Sequence, residues 1–301
     1  MEFSAGGFFV FNTYLYCVKQ LLDYIGQQLN ITILNYQPLS GGDISNVYLL
    51  ETLNQRLVLK ENTNSNALAL IHAEQLGLST IAATKTIQTP DIFLCDTFQD
   101  GTFLLMEYIE SKRPDKADFE RLGQAVGHLH RVSTTSFGFP QNNFIGSLTQ
   151  SNTNHTSWLH FYVSQRLLPQ FQLALEQNLL SKEEIPSKAI LLENGTSLFE
   201  NIQPSLLHGD LWSGNFLIAT DGTPYLIDPA VYYGHSEVDI AMTRLFGGFG
   251  ATFYDAYQEI HPSNNGASIR QNWYQLYYLL VHLNMFGRGY YGQVKRVFES
   301  L

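Results

Sequence analysis

Leu206-Leu-His-Gly-Asp-Leu-Trp-Ser-Gly-Asn215 is the stretch on which the fold turns, together with Ile227-Asp-Pro229 a short way downstream. Asp210 and Asn215 stand in an Asp-x-x-x-x-Asn spacing. After them, Asn215-Phe-Leu-Ile218 and Tyr225-Leu-Ile-Asp228 read as the arms of a hairpin turning at Asp221-Gly222. A hairpin brings its open ends together, so Asn215 and Asp228 are expected side by side. The three residues are the groups that phosphoryl transfer requires. Asp210 is the acid beside an attacking hydroxyl. The Asn215 amide oxygen and the Asp228 carboxylate can hold Mg²⁺ on nucleotide phosphates.

Working outward, the chain must supply a nucleotide site and an acceptor site. Its 301 residues suit two lobes with a real core. A hydrophobic content of 45% and a charged content of 15% are globular values. The net charge of −10 leaves no basic excess to neutralise phosphates, so nucleic acid is not expected as a partner. The two cysteines, Cys17 and Cys95, form no Cys-x-x-Cys pair, which argues against structural zinc and a disulfide framework. A reducing cytoplasm is the expected location. Residues 1–17 are apolar and aromatic but too short to span a bilayer, and they read as an N-terminal extension. No membrane partner is expected.

Upstream of the opening stretch, Val18 to Leu29 has helical periodicity. Strand-like segments follow, with Ser40-Gly-Gly-Asp43 at a hairpin tip and Arg56-Leu-Val-Leu-Lys60 as a third strand. Backbone N–H groups at Gly41 and Gly42 can approach phosphates. Asp43 beside them is unusual, because a carboxylate facing phosphates repels them. Ser65 to Ala83 turns helical and carries Glu74 among apolar neighbours. A strand lysine followed by a helix glutamate suits a pair in which Lys60 reaches the nucleotide phosphates and Glu74 orients it. Thr102-Phe-Leu-Leu-Met-Glu-Tyr-Ile109 is nearly all apolar, so burial on both faces is expected. It runs into Glu110-Ser-Lys-Arg-Pro114, the expected lobe boundary. Backbone groups along Glu107, Tyr108 and Ile109 are the candidates for the adenine edge of ATP.

Beyond that boundary the periodicity is helical: Asp118 to Ser133, then Ser157 to Gln177 with Pro169 expected to bend or break it. Ser181-Lys-Glu-Glu184 is a capping-box signature. Further helices are expected at about 236–246, 251–260, 267–286 and 290–299. His208 reads as loop support, Asp239 as structural, and Trp158 as core. Glu237 is a candidate for loop support or amine recognition.

The chain has no Gly-x-Gly-x-x-Gly ahead of Lys60, where a protein kinase carries it, and no His-Arg-Asp, Asp-Phe-Gly or Ala-Pro-Glu, so it is not an ordinary protein kinase. His208-Gly-Asp210 and Ile227-Asp-Pro229 resemble the aminoglycoside phosphotransferase and choline kinase group. The resemblance narrows with Trp212 after Asp210, Gly234-His-Ser-Glu-Val-Asp-Ile-Ala-Met242, Leu245-Phe-Gly-Gly-Phe249 and Tyr274-Gln-Leu-Tyr277. Upstream, His72-Ala-Glu-Gln-Leu-Gly77, Phe144-Ile-Gly-Ser-Leu-Thr-Gln150 and Trp158 belong to the same pattern. From about Val18 onward the chain is similar to the fructosamine kinase (ketosamine-3-kinase) family.

That resemblance implies an α/β (α+β), protein-kinase-like two-lobe fold, with a small antiparallel-sheet N-lobe at 18–109 and a larger, mostly helical C-lobe at 110–301. It implies transfer of the ATP γ-phosphate to the C3 hydroxyl of ketosamines, the fructosamine or ribulosamine adducts on amines or protein lysines, leading to deglycation. Lys60, Glu74, Asp210, Asn215 and Asp228 match the family's motif positions, and Gly41-Gly42 matches its phosphate-covering segment. With Asp43 after the glycines, cysteine-based redox control at that spot is not expected. Trp212 is the candidate for packing against the sugar, since a polyhydroxylated chain beside a protonated amine suits an aromatic wall. Two other readings stay open: another small-molecule kinase of the aminoglycoside or choline type, and a catalytically silent nucleotide-binding protein.

Overall fold

The structure is a computed structural model and describes residues 18–39 and 44–299. The extension at residues 1–17 and the glycine-rich tip with Gly41, Gly42 and Asp43 lie outside the described residues. The chain forms two compact units. One runs up to Ile71 and includes Asp91–Tyr108; the other comprises His72–Pro90 and everything from Ile109 onward.

The first unit is built on a five-stranded antiparallel sheet. Its strands are β1 (Ile33–Pro38), β2 (Asn46–Thr52), β3 (Arg56–Asn62), β4 (Ile92–Phe98) and β5 (Gly101–Glu107), in the order β1-β2-β3-β5-β4. Short connections explain most of this order, because hairpins make sequence neighbours pair. β5 lies between β3 and β4, and its residues from Thr102 to Met106 are buried, as the apolar run requires. Helix α1 (residues 18–29) supplies Val18, Leu21, Leu22 and Ile25 to a core with Leu50, Leu57, Leu59, Phe103 and Leu105. The i, i+3, i+4, i+7 spacing of those four residues puts them on one helical face.

Helix α2 (Ala67–Thr84) belongs to both units. Its last turns place Ile81 in a core of the second unit, with Leu122, Val126, Leu129, Leu206, Leu226 and Phe253. The second unit is mostly helical: α3 (Lys116–His130), α4 (Trp158–Tyr162), α5 (Leu168–Glu176), α6 (Lys188–Gly195), α7 (Glu237–Phe246), α8 (Ala251–Ile260), α9 (Ala267–Phe286) and α10 (Tyr291–Phe298). Two-stranded ribbons punctuate it: β6 (Asn143–Ile145) with β7 (Leu148–Gln150), β8 (Ser205–Leu207) with β11 (Tyr232–Gly234), and β9 (Phe216–Ile218) with β10 (Pro224–Leu226). The helices after residue 236 lie within a residue of the periodicity reading. The β6–β7 ribbon has no counterpart in the periodicity reading, because three-residue strands are too short to show alternation.

Pro169 does not break its helix. Val163–Leu167 forms a π-helical segment between α4 and α5, with the backbone helical on both sides. Proline has no N–H to offer the carbonyl four residues back. That carbonyl, on Gln165, accepts from the Arg166 guanidinium at 3.0 Å instead. The Ser181 capping box forms as expected, but it starts only a short 3₁₀ turn, Lys182–Glu184. Arg166 is fully buried against the Tyr232 and Phe161 rings. Among the described residues, no helix is long and apolar enough to cross a membrane.

Candidate active site

The loop between β8 and β9, residues 208–215, carries Asp210 and Asn215. Gly209 can only be glycine here: its φ is +85°, and a Cβ would lie 2.1 Å from the Ala230 carbonyl oxygen. That contact exists because Ala230 N–H donates to the His208 carbonyl at 2.8 Å, continuing the β8–β11 pairing towards the hairpin end. His208 is buried within the loop. Its Nε2 faces the Ile227 carbonyl at 2.9 Å, and its Nδ1 accepts from the Asp210 N–H at 3.2 Å. A carbonyl only accepts, so Nε2 carries the proton and the ring is a fixed connector rather than a base. Burial holds the imidazole below its usual range.

Asp239, on α7 and fully buried, grips the same loop from the other side. Its Oδ2 accepts from His208 N–H at 2.8 Å and its Oδ1 from Gly209 N–H at 2.9 Å. The structural role read for Asp239 from its apolar helical neighbours is the one it has. Tyr278 on α9 donates its hydroxyl to the Gly209 carbonyl at 2.9 Å. Sequence reasoning missed Tyr278, because nothing local to an apolar helix announces a partner 69 residues away.

Asp210 and Asn215 meet directly. The Asn215 Nδ2 donates to the Asp210 carbonyl at 2.8 Å and to Asp210 Oδ2 at 3.0 Å. Ile227 N–H donates to the Asn215 carbonyl at 3.1 Å, which extends the β9–β10 pairing and brings Asp228 beside the loop. Asp228 has a φ of +55°, a left-handed conformation uncommon for a residue with a side chain and concentrated at functional sites. Helix α2 packs close behind it: a Cβ on Gly77 would lie 2.8 Å from Pro229 Cγ.

Burial, then the charge of Asp228, pushes the Asp210 carboxyl up to about 7, against the pull of the Asn215 hydrogen bond. Two carboxylates crowded in a desolvated site call for a cation. Their oxygens and the Asn215 amide oxygen are the hard donors that Mg²⁺ selects. Among the described residues, no cluster of three or more His, Cys, Asp and Glu could hold a metal alone.

Trp212 is 40% exposed, so it is not a core residue. Its indole lies over Gly214, where a Cβ would come within 2.4 Å of the ring. Trp158, by contrast, is buried and donates its Nε1–H to the Tyr274 hydroxyl at 3.0 Å. Glu237 is held by Arg270 through bonds of 2.7 and 2.6 Å, which makes it a fixed ion-pair partner.

The remaining candidates are distributed between the units. In the first unit, Lys60 on β3 is half-buried and paired in register with Val47 and Leu104. Glu107 closes β5, with its N–H donating to the Asp91 carbonyl at 2.8 Å. The Tyr108 ring lies under the Arg56 guanidinium, 4.5 Å from its carbon. Glu74 on α2 and the buried Ile109 belong to the second unit, with Asp210, Trp212, Asn215 and Asp228.

A carboxylate beside an amide and a second carboxylate, at the open end of a short hairpin, in a chain that also carries an antiparallel-sheet unit, belongs with the phosphotransferases of the protein-kinase-like fold. Residues 17–301 match the sequence profile of the fructosamine kinase family. A protein of Enterococcus faecium, named a probable ketoamine kinase, is 40% identical over 265 residues, covering 87% of this chain and 94% of its own. The chloroplastic protein-ribulosamine 3-kinase of Arabidopsis thaliana is 38% identical over 240 residues, 77% of this chain and 72% of its own. A solved structure from Haemophilus somnus, assigned as a fructosamine-3-kinase, superposes with a TM-score of 0.83 at 26% identity, covering 93% of this chain and 96% of that one. The chain belongs to the fructosamine kinase family and is a phosphotransferase acting on a hydroxyl group.

Proposed function

We propose that the protein transfers the γ-phosphoryl group of ATP to the C3 hydroxyl of ketosamines. The observation that carries this reading is the direct bond between Asn215 and Asp210 beside Asp228, within a chain of this family. The relatives' names, ketoamine kinase and protein-ribulosamine 3-kinase, support the acceptor class.

In the reaction the C3 oxygen forms a bond to the γ-phosphorus. The bond from that phosphorus to the bridging oxygen breaks, and ADP leaves with the electron pair. The proton of the C3 hydroxyl passes to an oxygen of Asp210. A carboxyl raised by burial to about 7 accepts a proton more readily than an ordinary aspartate. Asn215 orients Asp210 through its Nδ2 and keeps its amide oxygen for the cation. Asn215 and Asp228 would hold Mg²⁺, which when bound supplies positive charge to the phosphate oxygens. Lys60, Glu74, Gly41 and Gly42 serve the phosphates, and the backbone from Glu107 through Tyr108 to Ile109 serves the adenine. The exposed face of Trp212 packs against the sugar chain of the acceptor. The 3-phosphate product decomposes and frees the amine, which makes the reaction a deglycation step.

The test is a phosphotransfer assay with MgATP, offering fructosyl-lysine, ribulosyl-lysine and kanamycin in parallel and reading ADP release and ³¹P signals. Phosphorylation of either ketosamine at C3 is expected. Phosphorylation of kanamycin alone would transfer the protein to the aminoglycoside kinases in function, and no turnover with any acceptor would support a silent nucleotide-binding protein.

A further inference from the structure

Asp239 receives a third hydrogen bond besides the two from the catalytic loop. Its Oδ2 lies 3.0 Å from Nε2 of His130, the last residue of α3. The other ring nitrogen of His130, Nδ1, lies 2.9 Å from the hydroxyl of Tyr257 on α8. All three side chains are buried. We propose that Tyr257 is a positioning residue for phosphoryl transfer, acting through His130 and Asp239 on the loop that carries Asp210. The proposal rests on the functional reading above.

The direction of each bond follows from donor chemistry. A carboxylate only accepts, so Nε2 of His130 carries the proton it offers to Asp239. In the neutral ring Nδ1 is then an acceptor, and the Tyr257 hydroxyl is its donor. The Ser236 hydroxyl is a further partner of Tyr257 and can donate to its oxygen. Asp239 therefore sets the His130 tautomer, and the Tyr257 hydroxyl pins the ring's orientation at its other nitrogen. Without that hydroxyl the buried Nδ1 lone pair loses its donor, and the ring is free to turn off Asp239 to find another.

The surroundings make the chain stiff. The Tyr257 ring stacks on His261, with centroids 5.4 Å apart and planes 18° from parallel, and His261 Nε2 faces the Gly127 carbonyl at 3.0 Å. Helices α3 and α8 are in backbone contact: a Cβ on Gly123 would lie 2.3 Å from the Phe253 carbonyl oxygen. His130 and Tyr257 thus keep their separation, and a change at one reaches Asp239 rather than dissipating. Asp239 in turn holds the N–H groups of His208 and Gly209, the residues just before Asp210. Displacing a reacting group by about an ångström is enough to slow an enzyme about 100-fold.

The experiment combines kinetics with ¹⁵N-imidazole NMR on Tyr257→Phe, His130→Gln and the double variant. Tyr257→Phe is expected to lower kcat by about tenfold, with the KM values for ATP and ketosamine changed by less than about twofold. The His130 Nε2–H signal should exchange faster with solvent, the mark of a loosened bond to Asp239. A glutamine at 130 can present an amide N–H to Asp239 and has no second ring nitrogen for Tyr257 to hold. Tyr257→Phe should therefore change kcat by less than about twofold in the His130→Gln background. An equal loss in both backgrounds, or unchanged Nε2–H exchange with unchanged kcat in the single variant, overturns the proposal. The NMR arm needs no turnover. If wild-type protein phosphorylates no ketosamine, the functional reading fails, while the exchange rate still reports whether Tyr257 holds His130.

Discussion

Asn215 holds Asp210 by two hydrogen bonds from one nitrogen, to the Asp210 carbonyl at 2.8 Å and to its Oδ2 at 3.0 Å. This turns the donor arm of the amide to the proposed base and leaves the oxygen arm for the proposed Mg²⁺. Asn215→Ala removes both functions at once. Losing one preorganised polar group at a reacting centre costs about 10²–10³ in kcat. Steady-state kinetics should show a kcat loss of at least about 100-fold together with a higher Mg²⁺ requirement. A variant within about threefold of wild type would remove Asn215 from the site.

Asp210 itself is the stronger case. Asp210→Ala removes the proposed proton acceptor and one of two crowded carboxylates but leaves the loop's anchors at His208 and Gly209 in place. Turnover should fall by about three orders of magnitude or more, with ATP binding by calorimetry largely retained. Equal loss of ATP binding and turnover would point to collapse of the loop instead.

Gly77 offers a test on stability. A helical Gly→Ala change ordinarily stabilises by about 1 kcal/mol. Here the new Cβ would lie 2.8 Å from Cγ of Pro229, in a ring that cannot swing aside, and overpacking of that kind costs about 1–3 kcal/mol. Gly77→Ala should therefore lower the melting temperature, and it should lower kcat as well, because Pro229 follows Asp228. A raised melting temperature would show that α2 and the Asp228 segment are not in tight contact.

Much of the site's geometry was legible in the sequence because it is local. The Asp-x-x-x-x-Asn spacing and the hairpin with its turn at Asp221-Gly222 fall within a short window, and the register of β9 on β10 then brings Asp228 to Asn215. The helices after residue 236 were legible because their apolar faces repeat at helical spacing over 8 to 20 residues. The supports of the loop were not legible. His130 and Tyr257 meet across 127 positions and Tyr278 reaches Gly209 across 69, and no periodicity encodes such pairings. The π segment at Val163–Leu167 was hidden for a different reason: Pro169 signals a lost hydrogen bond, but only the structure shows Arg166 filling it.

Trp212 and Gly214 form a unit within the loop. The indole lies over the glycine, and the residue is 40% exposed. A methyl group at Gly214 would displace the ring. Gly214→Ala and Trp212→Ala should each raise the ketosamine KM by about tenfold, with the ATP KM changed by less than about twofold. Parallel KM shifts for both substrates would assign the indole to loop stability.

His235 makes a prediction about pH and stability. Its Nδ1 accepts from the Tyr274 hydroxyl at 2.6 Å, and the same hydroxyl accepts from Trp158 Nε1–H at 3.0 Å. Burial, and then the charge of Arg270, push its pKa down to about 3 in the folded protein. In the unfolded chain the value returns to about 6.5, so below that pH the unfolded state binds a proton that the native state refuses. The neutral ring therefore costs nothing above about pH 7, and stability is lost progressively as pH falls from about 6.5 towards about 3. Asp210 works in the opposite sense. Its raised pKa of about 7 lets the native state bind the extra proton, so its burial costs least at low pH and most above about pH 7. The two trends overlap, and only a difference measurement separates them. His235→Asn can keep a hydrogen-bonding group near the Nδ1 position and does not titrate. In urea unfolding, wild type should lose about 1.4 kcal/mol relative to His235→Asn between pH 7.5 and pH 5.5. A difference that stays constant across that interval would mean His235 takes up its proton in the folded protein as readily as in the unfolded chain, and that its neighbours rearrange to admit the charge.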